Sequence, residues 1–379
     1  MDNPFENKRI LIVLHTMVIG GSQTQVLHFA DYLKNRLKAE VQVWSFIYSE
    51  YYAQMLTQHG IPFFIPSPFF EGGKIQKTIG LLRFLLKIRS FRPHIIMPFN
   101  NLPNKVCGAV WKWTGAKTCI WNQRDEGRDI TGGFIEKLAL KYTPIFVSNS
   151  EEGKKFLQKT FNIESEVITI IYNGVRLARP KLPKEEWKKK LNIDSSSLAA
   201  VMVANLTQYK DHQTLLKAWK SVIQSASLQR KPVLVVAGKK CETYKPLKDY
   251  VHVNQLEPYV RFPGFVDDVP GLLKACDLGI FSSKFEGCPN GILESMAAGL
   301  PVVATDITGA REALGEDYPF LVPKDNSEVF AQKIIAFLSD PKMRQTYGAQ
   351  NFKRVSELFS LERMTLCYQQ LLSRIIRHP

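Results

Sequence analysis

Two carboxylates eight positions apart, Glu286 and Glu294, sit in the stretch of this sequence best suited to chemistry. The apolar run Asp277 to Ser283 reads as a short buried strand. It breaks at Lys284-Phe285-Glu286-Gly287-Cys288-Pro289-Asn290-Gly291, a loop rich in turn formers. A helical segment from Ile292 to about Ala298 follows, ended by Gly299, and Pro301 to Ala304 opens the next strand. Strand, loop, helix and strand make one right-handed α/β unit. The first backbone amides of the helix, around Asn290, Gly291 and Ile292, lack intrahelical acceptors and carry positive partial charge, which suits an anion. Carboxylates repel phosphate but accept hydrogen bonds from sugar hydroxyls. The combination predicts a ligand carrying both phosphate and sugar. The competing reading gives Glu294 to the helix dipole and leaves Glu286 as a solvated loop residue.

A cation is available from a second strand. Ser197 to Ala204 reads as a buried strand that ends in Asn205-Leu206-Thr207-Gln208-Tyr209-Lys210-Asp211-His212. Ligands of open α/β sheets bind outside the carboxyl ends of the strands. Lys210 and Glu286 therefore belong on one rim, where an ammonium could stabilise charge developing on a departing diphosphate. The alternative is a solvated lysine beside an Asp211 helix cap.

Glu286-Gly287-Cys288-Pro289-Asn290-Gly291-Ile292-Leu293-Glu294, with the following Ser295 to Asp306, resembles the E-x7-E element of family-4 retaining glycosyltransferases. These have the GT-B fold, two Rossmann-like α/β domains facing across a cleft. The resemblance implies that Glu286 contacts the donor sugar and Glu294 the ribose hydroxyls of the nucleotide. It implies a retaining, metal-independent transfer from a nucleotide-diphosphate sugar that is substrate rather than cofactor, with no cofactor needed. Asn205 to Asp211 is similar to the family's G-R-L-x-x-x-K-G/D element, which makes Lys210 catalytic; Asn205 stands where that element has Arg, shifting more of the leaving-group charge onto Lys210 or another cation. Gly264 to Asp268, with Val266, resembles the loop that reads the nucleotide base through its backbone. Gly20-Gly21 resembles the loop that approaches the donor phosphates. Relatives often carry a His after the strand Lys117 to Trp121; here Asn122-Gln123-Arg124 follows. Asn122 and Arg124, with His15 at the end of the first strand, are the acceptor-side or sugar-side candidates, against an Arg124–Asp125 ion pair and a core histidine. Two rivals stand beside the transferase reading: a GT-B nucleotide-sugar epimerase and a non-catalytic nucleotide-sugar-binding protein.

Positioning these groups requires two doubly wound halves. Strands are expected at Lys8–His15, Val41–Ile47, Ile61–Ile65, His94–Phe99, Lys117–Trp121, Ile145–Ser148 and Val167–Tyr172. Helices are expected after Gly21 through Leu37, and over Ser49–Gln58, Lys74–Arg89, Leu102–Thr114, Phe134–Tyr142 and Glu151–Thr160. A polar, proline-bearing passage from Asn173 through Pro183 reads as a linker, after which alternation restarts. The expected division is an acceptor-side domain of residues 1–173 and a donor-binding domain of residues 174–359. A final helix within 360–379 should pack back on the first domain.

The 379 residues, 45% hydrophobic and 22% charged, suit a globular protein of two domains or one large one. The six cysteines show no close metal-type spacing and read as reduced core thiols, Cys288 in the site loop excepted. No signal peptide and no run of about 18 apolar residues appears, so a cytoplasmic protein is expected, peripheral to a membrane at most. The net charge of +15 favours polyanions. Zinc-finger spacing and RNP-type aromatics are missing, so nucleic acid is not among the expected partners. Between Glu71 and Arg124 no acidic residue occurs, and Lys74 to Arg92 reads as a basic amphipathic helix. The partners that follow are a nucleotide-sugar donor, a lipid-linked or saccharide acceptor, and an anionic membrane surface; the alternative has the helix covering a sheet.

Overall fold

A computed structural model describes residues 3–66, 73–127, 132–176 and 178–377. The chain separates into two compact units, residues 1–174 with 361–379 and residues 175–360.

In the first unit strands and helices alternate: β1 (Arg9–Thr16), α1 (Gly21–Asp31), β2 (Glu40–Ile47), α2 (Glu50–Gln58), β3 (Phe63–Phe64), α3 (Lys74–Phe91), β4 (Ile95–Pro98), α4 (Asn101–Val110), β5 (Thr118–Gln123), α5 (Phe134–Tyr142), β6 (Ile145–Ser148), α6 (Glu151–Phe161) and β7 (Ile168–Ile170). The strands form one parallel sheet in the order β3-β2-β1-β4-β5-β6-β7. Residues 10–14 of β1 are wholly buried because helices cover both faces, so side-chain alternation splits one apolar run between two cores. Ile10, Ile12 and Leu14 join Val26, Phe29 and Ala30 of α1 and Leu33 just after it; Leu11 and Val13 join Trp44, Phe84 and Ile88 on the other face. The helix expected after Gly21 through Leu37 is regular only to Asp31 and passes into a π turn at Tyr32–Arg36. Likewise α4 ends at Val110 and a 3-10 turn, Trp111–Trp113, replaces its expected last turn.

The second unit contains α7 (Lys184–Lys190), β8 (Leu198–Val203), α8 (His212–Ile223), β9 (Pro232–Ala237), α9 (Tyr244–Val253), β10 (Val260–Gly264), α10 (Val269–Lys274), β11 (Leu278–Phe281), α11 (Asn290–Ala297), β12 (Val302–Thr305), α12 (Thr308–Leu314), β13 (Leu321–Val322), α13 (Ser327–Ser339) and α14 (Pro341–Leu358). Its parallel sheet runs β10-β9-β8-β11-β12-β13. From β8 to β10 the chain winds one way; it then returns to the other side of β8 to place β11. The crevice at such a reversal is where open α/β sheets take ligands. The chain closes with α15 (Leu361–Arg377), a helix of the first unit, whose Met364, Tyr368 and Leu372 are buried in the core with Phe29. The Tyr368 and Phe29 rings lie 4.3 Å apart.

Candidate active site

The loops after β8 and β11 flank the reversal point of the second sheet, and their backbones are stitched together. Asp211 N–H donates to Ser282 O at 3.0 Å, and Lys284 N–H to Tyr209 O at 2.9 Å. Beneath them the buried Ser283 hydroxyl lies 3.0 Å from Tyr209 O, 3.2 Å from Phe285 O and 3.4 Å from Glu286 Oε1, so one proton serves three acceptors. Ser283 N–H is in turn 3.3 Å from Thr305 Oγ1 at the end of β12. The far side of the loop rests on Gly309, where a Cβ would meet Glu286 O at 2.6 Å and Gly287 O at 2.4 Å. The loop that carries Glu286 is thus held on two sides by backbone.

This frame brings two of the expected residues together across 76 positions of sequence. Lys210 Nζ donates to Glu286 Oε1 as an ion pair, with both side chains largely shielded from solvent. The ammonium also lies 4.6 Å from the centroid of the Phe281 ring, an additional electrostatic attraction. Asp211 caps α8, accepting from Thr214 N at 3.2 Å. That cap was expected; the solvated lysine beside it was not found. Next in sequence, His212 is buried with Nδ1 3.0 Å from Lys210 O, and burial pushes its pKa down to about 4, so it is neutral at physiological pH.

Glu294 projects from the second turn of α11. Its side chain keeps partial exposure, yet protein crowds the carboxyl closely enough that desolvation raises its pKa to about 7. No hydrogen bond or ion pair engages that carboxylate among the described residues. A desolvated acceptor with no protein donor suits a ligand that brings hydroxyl donors of its own. The start of α11 differs from expectation in detail. Ile292 N–H is not free: it donates to Pro289 O at 3.1 Å, and its side chain is fully buried. A tight turn at Pro289 starts the helix two residues early and uses that donor. Gly291 is dictated by packing, since a Cβ there would lie 2.6 Å from Val203 O at the end of β8. Asn205, on the same edge, accepts Lys239 N–H at 3.0 Å through its side-chain oxygen, which ties the loops after β8 and β9 together. Val266 follows β10 on this edge and packs partly against the core. Cys288, expected as the exception among the thiols, is buried like Cys107, Cys119 and Cys276, because the site loop packs inward.

Two family models account for most of the chain: one described as glycosyl transferases group 1 matches residues 183–354, and one described as glycosyltransferase family 4 matches residues 19–179. The chain belongs to the family-4 glycosyltransferases. It is 27% identical over 212 residues to the UDP-Gal:alpha-D-GlcNAc-diphosphoundecaprenol alpha-1,3-galactosyltransferase of Escherichia coli, covering 55% of this chain and 54% of that one. It is 28% identical over 230 residues to an N-acetylgalactosamine-N,N'-diacetylbacillosaminyl-diphospho-undecaprenol 4-alpha-N-acetylgalactosaminyltransferase of Campylobacter jejuni, covering 60% of each. The chain thus spans less than two thirds of the length of these curated relatives. Its fold is that of Anabaena HepE, solved with UDP and glucose, at TM-score 0.81 and 19% identity over 97% of this chain and all of that one. The architecture is GT-B.

In this family member the first unit corrects one expectation. Asn122 does not face a ligand. It is fully buried; its amide donates to Pro98 O and Ile120 O, each at 3.0 Å, and its oxygen accepts from Tyr368 hydroxyl at 3.0 Å. Every polar atom of the side chain is engaged in joining β4, β5 and α15. Arg124 turns to Asn173 Oδ1 and lies 5.5 Å over the Phe99 ring, while the neighbouring Asp125 carboxylate accepts from Gln123 Nε2 at 3.0 Å and Gly127 N at 2.9 Å. His15 is half-buried at the end of β1. Gly20 caps α1 in an extended conformation open to any residue, and Gly21 begins the helix exposed to solvent. Ser283, His212 and Gly309 went unread in the sequence. Ser283 and His212 adjoin the motif strands, but Gly309 lies beyond the motif and only tertiary packing marks it.

Proposed function

We propose that this chain is a retaining glycosyltransferase that moves a sugar from a nucleotide-diphosphate donor to an acceptor. The observation that carries the reading is the grouping of a cation–carboxylate pair, Lys210 and Glu286, with the unpartnered carboxyl of Glu294 at the reversal point of one sheet. Each has a distinct task. Glu294 accepts the ribose hydroxyls, the Gly291 amide faces phosphate, and the backbone around Val266 meets the base. When the bond between the sugar's anomeric carbon and the diphosphate oxygen breaks, the electron pair leaves with the diphosphate, and Lys210 stabilises that charge. Glu286, released from Lys210, turns to the sugar hydroxyls and orients the ring as the acceptor oxygen forms the new bond and its hydroxyl proton passes to the departing diphosphate oxygen. A lysine in this position supplies leaving-group stabilisation without a divalent ion. Among the described residues no group of three or more His, Cys, Asp or Glu gathers as a metal set.

The acceptor is taken at the carboxyl ends of β1, β4 and β5, where His15 and Arg124 stand. A lipid-linked saccharide at the cytoplasmic face of a membrane is the acceptor we favour, because the Escherichia coli and Campylobacter relatives are named for diphosphoundecaprenol-linked substrates. No helix among the described residues is long and apolar enough to cross a membrane. The test is incubation with a panel of nucleotide sugars, with and without total polar lipid and with excess EDTA, following nucleotide release. Acceptor-dependent release that EDTA leaves intact is expected. Interconversion of the nucleotide sugar without acceptor would mean an epimerase, and binding without release a sensor.

A further inference from the structure

Helix α3 carries two apolar stripes, and the fold uses one. Phe84 and Ile88 are buried against Trp44 and Phe46, with Leu81 and Leu85 partly covered beside them. Ile75, Ile79, Leu82 and Leu86 are left in solvent at 77%, 45%, 54% and 62% exposure. At ~100° per residue these four fall within about 60° of arc, on the side of the helix opposite Phe84. A helix that only covers a sheet has no use for a second apolar stripe on its outer face. The patch continues sideways: an open apolar groove of about 680 Å³ between α3 and the Trp111–Trp113 turn is lined by Leu82, Leu85, Val110 and Trp113, with Arg89 and Lys112 in its lining. Trp113 is itself 56% exposed.

Charge selects the occupant. The sequence from 72 to 123 contains no Asp or Glu and nine Lys or Arg. By the same helical geometry Arg83 and Lys87 lie along one side of the outer stripe and Arg89 along the other. Lys105 is set aside, being paired with buried Glu136 at 2.8 Å, and Lys87 lies 5.0 Å over the Phe64 ring with no carboxylate paired to it among the described residues. An apolar strip bordered on both sides by cations, with an exposed tryptophan across the groove beside it, matches the boundary between phosphate headgroups and acyl chains. We propose that the outer face of α3 and Trp113 form a docking surface for an anionic phospholipid bilayer, with Ile75, Ile79, Leu82 and Leu86 entering the interface and Arg83, Lys87 and Arg89 reaching the headgroups. The proposal deepens the reading of a lipid-linked acceptor by naming the surface that would bring the protein to it.

The full chain is mixed with phosphatidylglycerol–phosphatidylcholine vesicles and with phosphatidylcholine vesicles, and sedimentation and tryptophan emission are followed without substrate. Binding to the anionic vesicles that added salt weakens is expected. A blue shift should accompany it and disappear in Trp113→Phe. The double variant Leu82→Asp with Leu86→Asp should lower vesicle partitioning by ~100-fold while nucleotide affinity stays at the wild-type value. Equal binding to neutral vesicles, indifference to salt, or undiminished binding by the double variant overturns the proposal. So does a dimer in solution that the double variant dissociates while vesicles go unbound, because the spacing of the stripe then serves a second copy of the chain. Since no transfer is measured, failure here leaves the proposed reaction intact, and a failed transfer assay leaves the surface intact.

Discussion

Replacing Glu294 by Gln should stabilise the ligand-free protein above neutral pH and, at the same time, weaken its binding of nucleotide. The magnitude follows from the carboxyl's surroundings. An unfolded glutamate titrates near 4.5, and desolvation in the folded state moves this one to about 7. Between those values the native state holds a proton that the unfolded chain has released, so wild-type stability falls as pH rises through that window. At about 1.36 kcal/mol per pH unit, the upper bound of the loss above pH 7 is ~3 kcal/mol. The carboxyl's residual contact with solvent reduces this, and ~1–3 kcal/mol is expected. Glutamine has no charge to desolvate. The variant should match wild type near pH 4 and exceed it near pH 8, with a Tm gap of roughly 2–4 °C per kcal/mol in a unit of this size.

Nucleotide should reverse the order. On the proposed reading ribose hydroxyls donate to the ionised carboxylate, and charge-assisted hydrogen bonds of this kind are worth about 1.5–3 kcal/mol each. Glu294→Gln should therefore lose at least ~10-fold in affinity for a nucleoside diphosphate. Below pH 7 the wild-type carboxyl must ionise to bind, so association near pH 6 should release roughly one proton, seen as a dependence of calorimetric heat on buffer ionisation enthalpy. Urea unfolding from pH 4 to 8 with and without nucleotide, together with calorimetry in two buffers, measures all three effects. A stability difference that does not change with pH, combined with undiminished nucleotide affinity, would refute the assignment.

Lys210→Ala should lower turnover by about 100-fold or more while the fold is retained, the scale for losing one preorganised stabiliser of a departing anion; steady-state assays that find a loss of only a few-fold would return Lys210 to a structural ion pair. Glu286→Gln should leave nucleoside diphosphate affinity equal or higher, since it frees Lys210 for the diphosphate, and should cut turnover; calorimetry showing weaker binding would contradict the pairing argument. Gly291→Ala should cost about 1–3 kcal/mol in urea unfolding, because its methyl group would collide with Val203 O 2.6 Å away; an unchanged midpoint would mean that α11 and β8 can separate without penalty.

Legibility followed the range of the interactions. The strand ending at Phe281, the loop with Glu286 and the helix with Glu294 are set by local signals, and they lie within two residues of where turn chemistry and hydrophobic runs place them. Asn122 was opaque for the opposite reason. A polar residue at the end of a strand looks like a rim group unless its partners are known, and these are Pro98, Ile120 and the hydroxyl of Tyr368, 246 positions away. The outer stripe of α3 was half-visible: the sequence showed a basic helix rich in Ile and Leu, but which of them the sheet would cover depended on Trp44 and Phe46 of another strand.

The pairing of Lys210 with Glu286 shows most clearly what spacing alone withholds. Both residues could be assigned to one rim, but their contact depends on β11 being placed beside β8, a consequence of sheet order rather than of motif. That contact changes how the motif works. On the proposed roles, the cation for the diphosphate and the carboxylate for the sugar satisfy each other in the ligand-free protein, so neither stands desolvated and unpaired, a state that would be costly in a shielded site. A nucleotide sugar offers each a replacement partner, phosphate for the ammonium and hydroxyls for the carboxylate. A nucleotide alone replaces one partner and leaves Glu286 exposed to the loss. Asn205 cannot relieve Lys210 of its task, because it brings no charge and its oxygen is already held by the Lys239 amide. The site should therefore distinguish the intact donor from the bare nucleotide by more than the contacts to the sugar account for, and Glu286→Gln should narrow that difference from the nucleotide's side.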